Sequence, residues 1–222
     1  MALSNVQTII EPRIELNSDV EWTPLSPVRI DPKRSRRLNI GCGAFKKSGF
    51  MNLDANPRVN PDIVHDLNVF PYPLRSDSFD VIEANHLLEH LDDPFRVMDE
   101  LHRLLARDGE LIIRVPHFSR GFTHAEHKRG FDVTFPYYFD PTFPGGYTGT
   151  EFELRGMRLV WFAQPYLKKR VLSKIEYYLG SALGKVIDAF ANLSPFICSR
   201  AWCFMVGGFE EIEFRFVCKK QA

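Results

Sequence analysis

Residues 38–54 read LNIGCGAFKKSGFMNLD. An apolar run from Leu38 breaks at Gly41-Cys42-Gly43, and a second short run from Phe50 ends on Asp54. Short, nearly continuous apolar runs bounded by turn residues suit strands buried on both faces, as in a parallel sheet. Glycines at the intervening turn permit backbone shapes closed to other residues and let a ligand approach the main chain closely. Open α/β sheets bind their ligands at the carboxyl ends of the strands. The stretch therefore predicts a buried strand, a ligand-facing turn and a second strand ending in an acid.

The pattern continues outward. DIVHD (62–66) reads as a third short strand and FDVIEA (79–84) as a fourth. PFRVMDELHRLLA (94–106) has a helical apolar period, with Asp93 as N-cap and Pro94 at the first helical position. Asp108-Gly109 stops it, and ELIIRVP (110–116) is the next strand. Strands alternating with helices imply a parallel, doubly wound α/β sheet. The segment 121–146 is aromatic, charged and proline-rich, and reads as a functional excursion. RLVWFAQ (158–164) is strand-like, and EIEFRFVCK (211–219) alternates as a last, edge-proximal, antiparallel strand should. Residues 167–193 carry one helical apolar stripe. Such a stripe is expected to pack on the domain or on a dimer partner. The flanking Lys168, Lys169, Arg170 and Lys174 also suit a membrane surface or a lipid-linked substrate.

Composition narrows the function classes. The chain has 222 residues, 45% hydrophobic and 25% charged, an ordinary balance for a globular domain. Lys plus Arg and Asp plus Glu both number 28, so a nucleic-acid partner is not expected, since dedicated binders carry a basic excess. Cysteines at 42, 198, 203 and 218 form no CxxC pair and fit a reducing, cytoplasmic setting. The N-terminal residues lack a secretory pattern, and no apolar run reaches the length of a membrane span. Residues 1–37, polar and proline-punctuated, read as an extension leading into a domain over 38–222. That domain divides into a cofactor-side half (38–118) and an acceptor-side half (119–222).

Asp54 is placed to accept hydrogen bonds from ribose hydroxyls, and Asp66-Leu67 to meet the edge and face of an adenine. A dinucleotide site would need a third glycine opening a helix. Gly43 is instead followed by AFKKSG, so a nucleoside without a pyrophosphate fits better. At this point the chain resembles class I S-adenosylmethionine-dependent methyltransferases. LNIGCG, NLD, HDLNVFPYPLRSDSFDVIEANHLLEHL and RLLARDGELIIRVPH carry the likeness, over roughly residues 36–118. The resemblance implies a Rossmann-like, mostly parallel seven-stranded sheet with a C-terminal helical and aromatic elaboration. It implies S-adenosylmethionine as cofactor, with Gly41, Cys42 and Gly43 around the methionine part and Asp54 on the ribose. Asp66 and Leu67 would then meet the adenine, and Asn85 the sulfonium region. Asn39 stands where the family often has an acid. HAEHKRGF and the closing GGFEEIEFRF more loosely resemble methyltransferase-like proteins of glycan biosynthesis, which points to a small-molecule or glycan acceptor.

NHLLEHL (85–91) raises a separate question. On a helix, His86, Glu89 and His90 would share one face, and H-x-x-E-H is a zinc-peptidase motif. That reading fits poorly, because such a helix should not follow a buried strand at once and the cofactor motifs would go unexplained. In the methyltransferase family an E-H here is commonly structural or lines the cofactor pocket. HLLEH with THAEHKRGFD also resembles the metal site of small-RNA 2′-O-methyltransferases. On that likeness Glu89, His90 and either His124 or His127 would hold a divalent ion, with His86 in place of a glutamate. Without a metal, His117, His127 or Glu126 is the candidate general base for an oxygen acceptor. A catalytically silent nucleoside-binding protein and a metal hydrolase are the rival readings.

Overall fold

The computed structural model describes residues 36–120 and 124–220. The expected N-terminal extension lies outside them, apart from Arg36 and Arg37. Seven strands form one sheet: β1 (Arg37–Ile40), β2 (Met51–Asp54), β3 (Ile63–Val64), β4 (Phe79–Asn85), β5 (Leu105–Pro116), β6 (Phe152–Val160) and β7 (Glu211–Cys218). Their order is β3-β2-β1-β4-β5-β7-β6, with β7 antiparallel to both of its neighbours. β1 to β5 run parallel, and β1 lies in register between β2 and β4. The chain reverses its direction of travel across the sheet after β3, returning to β4 on the far side of β1. The crevice at that switch, beyond the carboxyl ends of β1 and β4, is where such sheets take ligands.

The apolar runs account for the centre of the sheet. Leu38, Ile40, Phe79, Ile82, Leu111 and Ile113 are all fully buried. Helix α1 (Pro94–Leu104) covers this region and buries Val97, Met98, Leu101 and Leu104. Asp93 caps it by accepting from the backbone N–H groups of Phe95 and Arg96, satisfying donors that a helix start otherwise leaves unpaired. The helix stops two residues earlier than its apolar period suggests. Leu105 already belongs to β5, and Asp108, at φ 60, bends within the strand.

The aromatic excursion has a dual role. Its Phe131, Phe135 and Phe139 are buried and pack on one another and on Phe214 and Phe216 of β7. They complete the core on that side of the sheet, a structural duty that the sequence reading did not assign to them.

The single helix expected over 167–193 is two helices, α2 (Pro165–Val171) and α3 (Lys174–Ala191), followed by α4 (Pro195–Arg200). The break is local chemistry. Ser173 and Glu176 form a capping box that starts a new helix. Gly180 and Gly184 let α3 lie against Phe162, where an added Cβ would come within 2.8 and 2.7 Å of the ring and its Cβ. The Asn192 amide bonds both the N–H and the C=O of Leu159, and Asp188 accepts from Trp161 N–H, which pins α3 along edge strand β6. The apolar stripe itself points outward. Ile175, Leu179, Val186 and Phe190 are exposed, while Ile187 of the same stripe packs into the core, so most of the stripe is left uncovered by the domain. None of the described helices is long and apolar enough to cross a membrane.

Candidate functional site

Two cavities open at the carboxyl ends of β1, β4 and β5. The first, about 580 Å³, is lined by Asn39, Gly41, Cys42, Gly43 and Asn85, together with Lys47, Arg114 and Glu211. Its size lies within the range of small-molecule sites. Gly41 and Gly43 hold φ of 66 and 48. A Cβ on Gly41 would meet Leu87 at 2.7 Å, whereas beyond Gly43 there is open space. The turn is thus a cradle of bare backbone, as a ligand lying on the main chain requires. Asp54 does not itself line the cavity but anchors the turn. Its Oδ2 accepts from Gly43 N–H at 2.7 Å and its Oδ1 from Asn56 N–H at 2.8 Å. Tyr166 of α2 meets Phe45 edge to face at 5.0 Å, and both line the same cavity.

Other expected positions differ. Asn39 is buried and its amide donates to Phe45 O and Asn52 Oδ1, so its donors hold the loop between β1 and β2. Asp66 is exposed and Leu67 buried, and neither lines the cavity. Asn85 does line it, with Oδ1 accepting from Arg114 at 2.7 Å. Gln164, Tyr166, Leu167, Arg114 and Glu211 are lining residues that the sequence reading missed. They come from distant segments and no local motif marks them.

The second cavity, about 680 Å³, is lined by His86, His90, His124, Glu126 and His127 on one side and by Arg120, Gln164, Leu167, Lys168 and Glu210 on the other. NHLLEHL is not helical. After β4 the chain passes through His86 at φ 50 into a tight turn, with His90 N–H bonding Leu87 O. The turn still gathers the ligating groups. Lys128 N–H donates to Glu89 O, and the Arg129 guanidinium donates to Leu91 O and Asp92 O. These bonds fold residues 124–129 back over the turn. Glu89, His90 and His127 then bring one ligand atom each within 4.8 Å of one another.

Glu89 is completely buried, and neither carboxylate oxygen has a hydrogen bond among the described residues. His86 Nδ1 approaches Oε1 at 3.3 Å and His127 Nε2 at 3.9 Å. His90 Nδ1 lies 3.2 Å from Glu126 O. A carbonyl only accepts, so Nδ1 carries the proton and Nε2 keeps a lone pair, the arrangement that orients a metal-binding imidazole. His86 is different. Burial disfavours its charge, yet the hydrogen bond and charge of Glu211, at 2.7 Å, and the nearby charge of Glu89 prevail and push it up to about 9. As an imidazolium it has no lone pair to give, and it stands outside the cluster as a cation between two carboxylates.

His117 is not placed to act as a base. It is fully buried and lines neither cavity. Ser119 N–H points at Nδ1, so the proton sits on Nε2 and bonds Ser199 Oγ at 2.8 Å, which in turn donates to Asp132. Burial lowers its pKa to about 4, against a raising influence from Asp132. The sign follows by linkage. The unfolded chain takes up a proton near pH 6.5 that the folded chain refuses until about 4, so stability present above pH 6.5 is lost as pH falls toward 4. The loss is on the order of 3 kcal/mol. Urea unfolding at pH 7 and near pH 4 should show it in the wild type and a flatter profile in His117→Gln. Parallel profiles would refute the assignment.

Comparison with known proteins supports the fold reading. Residues 50–113 match a family model described as "Methyltransferase domain", 64 of the 222 residues. No curated protein matches the chain. Among solved structures, the YcgJ protein from Bacillus subtilis is similar at 14% identity and TM-score 0.49, over 85% of this chain and 94% of that one. An S-adenosylmethionine-dependent methyltransferase from Archaeoglobus fulgidus is similar at 15% identity and TM-score 0.45, over 83% and 86%. Another from Mesorhizobium loti gives 13% identity and TM-score 0.46, over 84% and 93%. All three scores fall below 0.5, so the class rests on the family match and on the strand order with its antiparallel β7. That class is the Rossmann-like, class I S-adenosylmethionine-dependent fold. Over residues 50–113 the chain carries a methyltransferase domain.

Proposed function

We propose that the protein moves the methyl group of S-adenosylmethionine to an oxygen of a small-molecule or glycan acceptor, beside a divalent cation held by Glu89, His90 and His127. The carrying observation is that the two cavities adjoin: His86, Gln164 and Leu167 line both. One cavity offers the glycine cradle for the donor, and the other offers a cluster of histidines for an acceptor. S-adenosylmethionine, once bound, supplies an already activated methyl group, so the protein's share is positioning and exclusion of water. Gly41 and Gly43 hold the methionine part, Asp54 the ribose and the Asn85 amide the region around the sulfur. With His127 engaged on the cation, Glu126 receives the proton of the acceptor hydroxyl.

The donor set supports the cation. One buried carboxylate without hydrogen bonds and two imidazoles suit zinc, iron or manganese better than magnesium. Such an ion would act as a Lewis acid on a nearby hydroxyl. A reducing, cytoplasmic setting fits the four free thiols.

The test is transfer of labelled methyl groups from S-adenosylmethionine to hydroxylated small molecules and glycans, with manganese, zinc or a chelator present. Labelled acceptor is expected, with a rate at least about tenfold lower for His127→Ala or under chelation. Tight S-adenosylmethionine binding without transfer to any acceptor would favour the silent nucleoside-binding rival. Metal-dependent hydrolysis that survives Asp54→Ala would favour the hydrolase.

A further inference from the structure

The outward face of α3 and α4, with the residues on either side, gathers most of the exposed large apolar side chains of the described surface. From Val171 to Met205, twelve large apolar side chains are exposed, among the twenty such residues described. On α3 they recur at 175, 178, 179, 183, 186 and 190, which a helical period places on one side. The opposite side carries Gly184, Ile187, Asp188 and Ala191, all buried against the domain. Contiguous exposed apolar patches of this kind mark an interaction surface.

Charge says what covers it. Between 165 and 205 the chain has six Lys and Arg, at 168, 169, 170, 174, 185 and 200, against two acids, Glu176 and Asp188, although the whole chain is balanced. Lys168 and Arg200 are paired with Glu210 and Asp132. Asp188 is buried and accepts from Trp161 N–H. Lys169, Arg170, Lys174 and Lys185 remain at the surface, faced there by Glu176 alone among these acids. Helical geometry puts Lys174 and Lys185 together on one flank of the apolar side, where their stems can lie along it and their ammonium groups reach past it. A second copy docked antiparallel on this face would bring the Lys174 and Lys185 flank against its own counterpart, leaving these cations without a partner charge. An anionic bilayer surface satisfies both the apolar side and its basic border.

We infer that the exposed face of α3 and α4 docks the protein onto an anionic membrane surface. Val171 ends α2, whose Leu167 and neighbouring Lys168 line the second cavity. Docking therefore holds that cavity close to the headgroup layer, where a membrane-bound acceptor is within reach. That last step alone rests on the proposed transfer reaction.

The test is flotation of the full chain with vesicles of phosphatidylcholine, or of phosphatidylcholine mixed with phosphatidylglycerol. Binding is expected with the mixed vesicles and to fall with added salt. The paired change Leu179→Glu and Val186→Glu, at positions 67% and 54% exposed and so harmless to the core, should weaken it at least about tenfold. Lys174→Ala with Lys185→Ala should weaken it about fivefold per lysine on the anionic vesicles only. Failure of the wild type to float with mixed vesicles would overturn the inference. So would a dimer in sedimentation that the Leu179→Glu, Val186→Glu protein no longer forms, since a second copy would then cover the face. S-adenosylmethionine titration on the same samples reports the cofactor reading separately, because vesicle binding requires no cofactor.

Discussion

Asp54→Ala is expected to weaken S-adenosylmethionine binding about 100-fold or more in isothermal titration. The residue closes β2 at the level of the glycine turn, and each carboxylate oxygen already accepts one backbone N–H, from Gly43 and from Asn56. A carboxylate oxygen has room for two hydrogen bonds, so one lone pair on each remains for a pair of ribose hydroxyls. Alanine removes those contacts and also frees Gly43, whose φ of 48 the carboxylate helps to hold. Hydrogen bonds to a charged group contribute roughly 1.5–3 kcal/mol each, and two of them account for the expected factor. Thermal unfolding run alongside separates lost contacts from lost folding. Affinity within about threefold of the wild type, in a protein that remains folded, would remove Asp54 from the site. No binding by the wild type itself would remove the cofactor reading altogether.

The parts of this site legible in the sequence are those made by short segments. Gly41 and Gly43, which line the first cavity, and Asp54, which does not line it but bonds Gly43 N–H, lie within one strand–turn–strand unit, and the bare turn shows directly in residue type. Asp93-Pro94 likewise marks the start of α1. The second wall of the cavities was not legible. Gln164, Tyr166, Leu167 and Glu211 reach the site through β6, α2 and β7, and their meeting with β1 and β4 is set by sheet order alone. Two errors have local causes. The break between α2 and α3 is written as Ser173-x-x-Glu176, a capping box hidden inside a continuous apolar stripe. NHLLEHL has helical spacing, but a tight turn after β4 also brings residues 86 and 89 together, so the spacing alone did not distinguish the two. The histidine cluster was legible as a choice between His124 and His127. The ligand-distance cluster contains His127, with His124 stacked on it at 4.6 Å.

Glu89→Gln is expected to abolish a metal-dependent rise in thermal stability. A carboxylate removed from water costs several kcal/mol unless it is paired and hydrogen-bonded. Glu89 is fully buried, has no hydrogen bond among the described residues, and meets His86 at 3.3 Å and His127 at 3.9 Å. The His86 imidazolium, shared with Glu211, supplies part of the counter-charge, and a divalent ion among Glu89, His90 and His127 would add the rest together with direct ligand bonds. An ion present at about 100 times its dissociation constant stabilises the folded chain by roughly 2.7 kcal/mol. For a domain of this size that is a rise of about 5–10 °C in Tm. Glutamine keeps the shape and removes the charge, so added manganese, zinc or iron should leave the variant's Tm unchanged. Elemental analysis should find a stoichiometric ion in the wild type and little in the variant. If Glu89 serves only as a partner for His86, the variant loses stability but neither protein responds to metal. That outcome ends the metal reading while leaving the fold intact. An equal metal-dependent rise in both proteins would move the ion to a different set of side chains.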